Sequence, residues 1–263
     1  VVPTHLQARA WRRRLAEVAA RLGRFSDAEG QLRDYLLPAA PKDGGLWFLL
    51  ARCQTAQRRY AAAEKSLQAA IRYGPDRVEY YLAMADLLRR RLDRAKDADL
   101  WMDEMVRANP ESARAHSIRA RWHIGTGTPD QAEQDVAKAL QLAPDDLEAL
   151  LLAAQLALWQ RQYAEARQHA ERALALAPKH VRLYELLADI EMASNAPDQA
   201  VARLQAGLEK VPDDPDLLRD LTLTLIEQGK LEEAKRPLAR LRAVKAPQAA
   251  ADLAQARIDL LQG

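Results

Sequence analysis

The sequence predicts an all-α protein built as a helical-repeat array, and three observations carry that prediction. In the stretch 147–178, Leu150, Ala153, Ala154 and Ala157 fall at spacings of three and four, which puts them on one helical face. After the polar Gln160–Gln162, the residues Tyr163, Ala166, Ala170, Ala173 and Leu174 start a second helix, and Pro178 closes the unit. Secondly, the alanine of that second helix recurs as Ala28, Ala63, Ala98, Ala132, Ala166, Ala200 and Ala234, at steps of 35, 35, 34, 34, 34 and 34. Thirdly, two further columns run in register with it: Ala16, Ala51, Ala85, Ala120, Ala154, Ala188 and Thr222, then Pro41, Pro75, Pro110, Pro144, Pro178, Pro212 and Pro247. A fixed period near 34 signals a solenoid, in which each helix pair buries its apolar face against its neighbours.

From the start of the chain, residues 5–22 form the first helix. Ser26 and Glu29 have the spacing of a capping box at the start of the second, which ends near Leu37. The connection LLPAAPKDGG is one residue longer than its counterparts, which places the first 35-residue step in an outer turn. In the third copy the extra residue lies between Ala85 and Ala98, within RRRLDRAKD, and predicts a longer inner turn. Thr128, Pro129 and Gln131 read as a cap with proline at the first helical position, and Asp214 with Pro215 repeats that device. The last stretch, 248–261, reads as an unpaired fifteenth helix lying on the last repeat, with Leu253, Ala256, Leu260 and Leu261 on one face.

Trp47, Leu50, Ala51, Tyr60, Ala63, Leu67, Ala70 and Pro75 in the second copy, and Tyr184, Leu187, Ala188, Ala200, Leu204 and Pro212 in the sixth, make the chain resemble a tetratricopeptide repeat protein over nearly all its length. The resemblance implies a right-handed α-solenoid of seven antiparallel helix pairs plus a C-terminal capping helix. It is a single array over 1–263, with repeats at about 9–43, 44–77, 78–112, 113–146, 147–180, 181–214 and 215–247 and a final helix at 248–261. The fourth copy departs from the pattern, since His116 and His123 fill slots for large apolar residues and Arg119 stands where leucine is expected. That repeat is expected to be looser. The Ala-, Arg- and Leu-rich style resembles large bacterial scaffolds of secretion, polysaccharide-export and pilus-assembly systems.

Composition narrows the functional classes. A hydrophobic fraction of 49% with 29% charge suffices for a core one helix pair thick, and 5% aromatics fits alanine-rich crossings. The single cysteine, Cys53, rules out an internal disulfide and reads as a structural thiol, which leaves cytoplasm and periplasm both open. No run of 18 apolar residues exists, so no membrane insertion is expected, and VVPTHLQARAW lacks the order of a signal peptide. A chain beginning at Val1 reads as a processed product or a piece of something longer. The five histidines, His5, His116, His123, His169 and His180, lack metal-ligand company. The ten glycines are scattered at turns without a phosphate loop, and no serine sits in a nucleophile elbow. Acid pairs such as Asp145–Asp146, Asp213–Asp214 and Glu232–Glu233 stand at helix starts, where they complement the macrodipole. No catalytic residue, metal site or cofactor is therefore expected.

The leading reading is a noncatalytic interaction scaffold holding a peptide or partner protein along a concave groove. The alternatives are a substrate-recruiting segment of a larger enzyme or of a secretion or export assembly, and an RNA-binding helical repeat. Related RNA-reading arrays, by resemblance, want a short polar residue at the fifth slot. That slot reads Arg13, Phe48, Leu82, Ser117, Leu151, Glu185 and Arg219, so nucleic acid is not expected despite a pI near 8.7. The chaperone-tail clamp of some family members needs Lys and Asn where this chain has Phe48, Arg52, Leu82, Asp86, Ser117 and Arg121. Family resemblance places slots two, five, nine, twelve and thirteen of each first helix on the groove. Residues 1–125 carry 23 Lys and Arg against 15 Asp and Glu, and 126–263 carry 16 against 22. The early groove slots follow that split with Arg13, Arg52, Arg89, Arg114 and Arg121. The later ones mix Leu151, Gln155, Leu158, Trp159, Met192 and Leu223 with Glu185, Asp189 and Arg219. Of the tryptophans, Trp47 and Trp101 fall on packing columns, while Trp159 faces the groove. The expected ligand is an extended segment with acids toward the N-terminal half and apolar anchors toward Trp159 and Leu223. Partner identity and oligomeric state are not set by the sequence.

Overall fold

A computed structural model describes residues 5–244 and 248–262, in which all regular structure is helical. Fifteen helices follow one another in an all-α chain, pairing as consecutive hairpins within each unit, three before the helix at Ala113–Gly125 and three after Leu142, with a final single helix on the last of them. They are α1 (His5–Arg21), α2 (Phe25–Gln31, continued by a π-helical Leu32–Leu36 and a last turn Leu37–Ala39), α3 (Gly44–Ala56), α4 (Tyr60–Tyr73), α5 (Val78–Arg91), α6 (Ala95–Ala108) and α7 (Ala113–Gly125). Then come α8 (Ala132–Leu142, after a 3₁₀ turn Pro129–Gln131), α9 (Leu147–Trp159), α10 (Tyr163–Leu176), α11 (Val181–Ala193), α12 (Pro197–Lys210), α13 (Pro215–Glu227), α14 (Leu231–Ala243) and α15 (Gln248–Gln262). The chain divides within α7 into two compact units, 1–122 and 123–263.

Both alanine columns are buried for a steric reason. Ala28, Ala63, Ala98, Ala132, Ala166, Ala200 and Ala234 are each 0% exposed, because two helices approach closely only where the crossing side chains are small. The upstream column is buried as well, including Thr222, whose hydroxyl donates to the Leu218 carbonyl at 2.7 Å. In the first unit these crossings enclose Tyr81, Met84, Leu88, Met102 and Met105. In the second they enclose Leu150, Leu183, Leu187 and Ile190, with a further cluster around Leu217, Leu225 and Leu238. Of the proline column, Pro247 lies outside the described residues.

The inner turns share one device that the sequence reading missed. Gly23, Arg58, Asp93, Gly127, Arg161, Asn195 and Gly229, one per repeat, take left-handed φ values of 54–80°. The next amide then reaches back over the helix end, as in Arg59 N–H to the Gln54 carbonyl at 2.8 Å and Lys230 N–H to the Leu225 carbonyl at 2.9 Å. This is a Schellman closure, which satisfies carbonyls that a helix end leaves free. The outer turns use the prolines' carbonyls. Trp47 Nε1 donates to Pro41 O at 2.8 Å and Tyr184 OH to Pro178 O at 2.9 Å, while His116 Nε2 lies 3.0 Å from Pro110 O. His116 thus fills the same structural role as the aromatic residues of its slot.

The structure departs from five local expectations. Ser26 and Glu29 do not form a capping box: α2 starts after Arg24 with no side-chain cap. Glu29 is instead buried, accepting from Arg59 and, at 3.1 Å, from Gln57 Nε2. The additional residue behind the first 35-residue step is not in the outer turn. It lies inside α2, where one inserted residue is what turns an α-helix locally into π-helix. In the third copy the inner connection keeps three residues, and the extra one widens the last turn of α5, so that Arg94 N–H reaches Leu88 O at 2.9 Å. Lastly, α15 packs through Ala251, Ala254 and Ile258, all buried against Leu221, Leu225 and Leu241, whereas Leu253, Ala256, Leu260 and Leu261 point outward. Asp214 does cap α13, accepting from Asp216 N and Leu217 N at 3.1 Å with Pro215 at the first position. Pro129 likewise opens its turn, but the Thr128 hydroxyl donates to His123 O at 3.2 Å instead of capping.

Candidate functional site

In the first unit, first helices α1, α3 and α5 together line an open cleft bounded by Arg13, Arg21, Phe48, Arg52, Glu79 and Tyr80. Helical spacing explains the convergence. Arg13 and Arg21 lie eight apart on α1, and Phe48 and Arg52 four apart on α3, so each pair shares one stripe. Phe48 and Tyr80 pack ring to ring with centroids 4.7 Å apart, forming an aromatic floor. Arg13 is held at the cleft edge by Glu17 at 3.2 Å and Asp43 at 3.1 Å. Arg21 and Arg52 make no ion pair or side-chain hydrogen bond among the described residues. Arg52 also borders a neighbouring cleft with Ala83, Asp86 and Arg90, where Asp86 and Arg90 pair at 3.1 Å.

The other cationic candidates of this unit stand elsewhere. Arg89 lies over the Trp122 ring, 5.6 Å from its centroid, with Asp99 at 4.0 Å. Arg114 and Arg121 are exposed on α7. Arg119 is satisfied by Asp103 at 2.9 Å. Cys53 is fully buried, and burial first, then the Glu29 charge, pushes its thiol pKa up, so it is an inert packing group.

In the second unit, α9, α11 and α13 touch one another as successive first helices. Leu151, Leu158, Met192 and Leu223 are half-buried there, each with one side against a core cluster and one toward solvent. Gln155 is half-buried too, and Trp159 stands out at 59% exposure. Ile226, by contrast, is buried in the core. Acids gather beside this strip. Arg219 is bound by Asp216 at 2.5 Å, Asp220 at 2.8 Å and Glu185 at 3.9 Å, so its charge is already consumed. Asp189 is open to solvent yet ringed by protein, and burial first, then Asp220, pushes its pKa up. Glu185 is raised by the same two causes in the same order. The local balance is therefore negative. Tyr80 and Asp220 occupy slots three and six, which the family-based slot rule leaves out. Their signal was the i, i+4 neighbourhood of Asp76 or Asp216, and it is too common to single them out.

A second set of charges is structural. Glu191 is completely buried and accepts from Arg167 at 2.9 and 2.6 Å and from Arg203 at 3.4 Å, linking α10, α11 and α12. The Arg167 hydrogen bonds, opposed by burial, hold its carboxyl below the ordinary range. Among the described residues, no group of three or more His, Cys, Asp or Glu is placed to hold a metal ion, and no helix is long and apolar enough to cross a membrane.

Compared with known proteins, a family model described as tetratricopeptide repeat matches residues 34–87, 123–190, 157–221 and 191–258. No curated protein matches the chain. Among solved structures, it is similar to a tetratricopeptide repeat protein from Parabacteroides merdae at 19% identity and a TM-score of 0.65, covering 98% of this chain and 100% of that one. The C-terminal part of a repeat-containing protein from Cytophaga hutchinsonii gives 14% and 0.65, with 91% and 98% covered. PilF of Pseudomonas aeruginosa gives 19% and 0.56, with 70% and 83% covered. At these identities the likeness is one of fold.

Proposed function

Because the chain belongs to the tetratricopeptide repeat family, whose members generally bind proteins or peptides without catalysis, we propose that it is a protein-interaction scaffold with two chemically distinct binding faces. The face of α1, α3 and α5 takes a carboxylate-bearing segment of a partner. The face of α9, α11 and α13 takes a segment with apolar side chains flanked by basic ones. One observation carries the reading: Arg21 and Arg52 stand unpaired beside an aromatic floor in an open cleft, although ion pairs neutralise many other arginines of the chain. A guanidinium that forms no internal ion pair has none to give up when a partner arrives. It can pair with an arriving carboxylate, and the half-buried Phe48, backed by the buried Tyr80, offers it apolar cover.

The test is fluorescence anisotropy on the full chain, using a short labelled peptide rich in Asp and Glu with one aromatic residue, beside a Lys-rich counterpart. Arg21→Glu with Arg52→Glu should slow association of the acidic peptide by roughly tenfold or more and remove its salt dependence, because charge complementarity acts mainly on encounter. Trp159→Ala should leave that peptide unaffected and speed release of the Lys-rich, apolar one. Equal binding of the acidic peptide by the wild type and the double reversal would exclude the cleft.

A further inference from the structure

Arg52 borders two clefts: the arginine-bearing one described above and a second that lies between α3 and α5. The floor of the second is Ala51, Leu67 and Leu87, all buried, and its walls are the exposed Ala56 of α3 and the half-buried Ala83 of α5. Its volume is about 430 Å³. An apolar cavity of about 150 Å³ already holds a benzene ring, so an aromatic side chain fits. Ala83 opens this space. Two positions before the upstream alanine column, the second, fourth, fifth and sixth copies carry Leu49, Ile118, Leu152 and Leu186, all buried, while the first and last carry Arg14 and Asp220. Only the third copy has alanine there. No helix crossing requires it: the crossing alanine of this helix is Ala85, at 0% exposure, whereas Ala83 lines the cleft. A side chain that the neighbouring copies supply from within is missing here, and the apolar floor beneath it stays accessible.

The lining also carries Arg52, Arg90, Arg91 and Asp86. Asp86 is already held by Arg90 at 3.1 Å. Arg52 and Arg91 make no ion pair or side-chain hydrogen bond among the described residues, so the charge left to an arriving group is positive. Arg52 stands one residue past its column alanine, Ala51, and Arg91 six past Ala85, so the two lie at different levels along the cleft. A guanidinium pairs with carboxylate oxygens and also stacks on the face of an aromatic ring. An apolar floor under such a rim therefore suits an aromatic side chain with acids before and after it.

We propose that the α3–α5 cleft is a specificity pocket for one aromatic side chain of the acidic segment, with carboxylates on either side of that residue meeting Arg52 and Arg91. This rests on the seat of the segment at Arg21 and Arg52 proposed above, and adds which side chain is read and where. The arginines attract and orient the segment, and the pocket sets how long it stays.

Fluorescence anisotropy on the full chain tests it with a labelled Glu-rich peptide containing one Phe and the same peptide with Ala in place of that Phe. The wild type should bind the Phe peptide about tenfold or more tightly than its Ala counterpart, because a buried aromatic side chain leaves water. Ala83→Leu restores the side chain that four other copies have and fills the pocket. It should raise the dissociation constant of the Phe peptide to that of the Ala peptide and leave the Ala peptide's unchanged. The association rate and its salt dependence should persist, since Arg21 and Arg52 are untouched. Ala56→Leu fills the pocket from its exposed wall, keeps the core intact and should act in the same direction, with helicity by circular dichroism unchanged. A preference for Phe that survives in both variants overturns the pocket, and so does a wild type that binds the two peptides equally. In either case the seat at Arg21 and Arg52 still stands if their reversal to Glu slows association. A wild type that binds neither peptide overturns both.

Discussion

Replacing Arg167 with Met isolates what the buried carboxylate of Glu191 contributes. Glu191 is 0% exposed, and Arg167 gives it two of its three hydrogen bonds, so the substitution leaves a buried charge with only Arg203 at 3.4 Å. Breaking such a pair costs about 3 to 5 kcal/mol. The lower end, about 3 kcal/mol, applies here because the Arg167 side chain is itself 30% exposed and Arg203 remains. For a chain of this size that is a drop in melting temperature of roughly 6 to 12 °C. The double variant Arg167→Met with Glu191→Met should recover to within about 1 kcal/mol of wild type, since no charge is then stranded and Arg203 keeps Glu171 at 2.5 Å. The pH dependence follows from the lowered carboxyl pKa. A carboxyl whose folded pKa lies below its unfolded value adds stability above the unfolded value and loses it as the pH falls through the folded one. The gap between wild type and Arg167→Met should therefore be widest at neutral pH and close in acid. Thermal melts followed by circular dichroism at several pH values measure it. A single variant as stable as the double at neutral pH would show that Glu191 is not stranded by the loss of Arg167.

Ala166→Leu places three extra carbons at a fully buried crossing and should destabilise by roughly 1 to 3 kcal/mol in a urea titration, whereas an unchanged midpoint would mean the crossing lies elsewhere. Gly229→Ala should cost about 1 kcal/mol through backbone strain alone, because φ is 73° and no atom lies within 4 Å of the new Cβ. Arg161→Gly, at φ 61°, should not destabilise. Asp189→Asn should raise stability at neutral pH, since the raised pKa marks a disfavoured charge, and the gain should vanish below about pH 4, where ordinary carboxylates are protonated.

The architecture was legible because it repeats. Seven alanines in register reveal a crossing that no single alanine could, and all seven are buried. What stayed hidden was the handling of single extra residues. Ala28 to Ala63 spans 35 residues whether the surplus sits in a turn or in a π-helical α2, and the alanine spacing is identical in both cases. Glu29 met the spacing of a capping box but was drawn inward by Arg59, a residue 30 positions later whose approach local pattern does not encode. On α15 the inner face is two alanines and one isoleucine, so the leucines outweighed it in the sequence although they face solvent. Slot counting put Arg13 and Arg52 on one cleft but also chose Arg89, which the Trp122 ring holds elsewhere, and Arg219, whose charge three carboxylates consume.

If partners bind on the first helices of the repeats, a photo-crosslinking residue at Phe48 on α3 should capture them and one at Leu100 on α6 should not. Phe48 lines the arginine-bearing cleft, while Leu100 is 65% exposed on a second helix. With the acidic aromatic peptide, cross-linking is expected from Phe48, suppressed by salt, and none from Leu100. Cross-linking from Leu100 with none from Phe48 would contradict it.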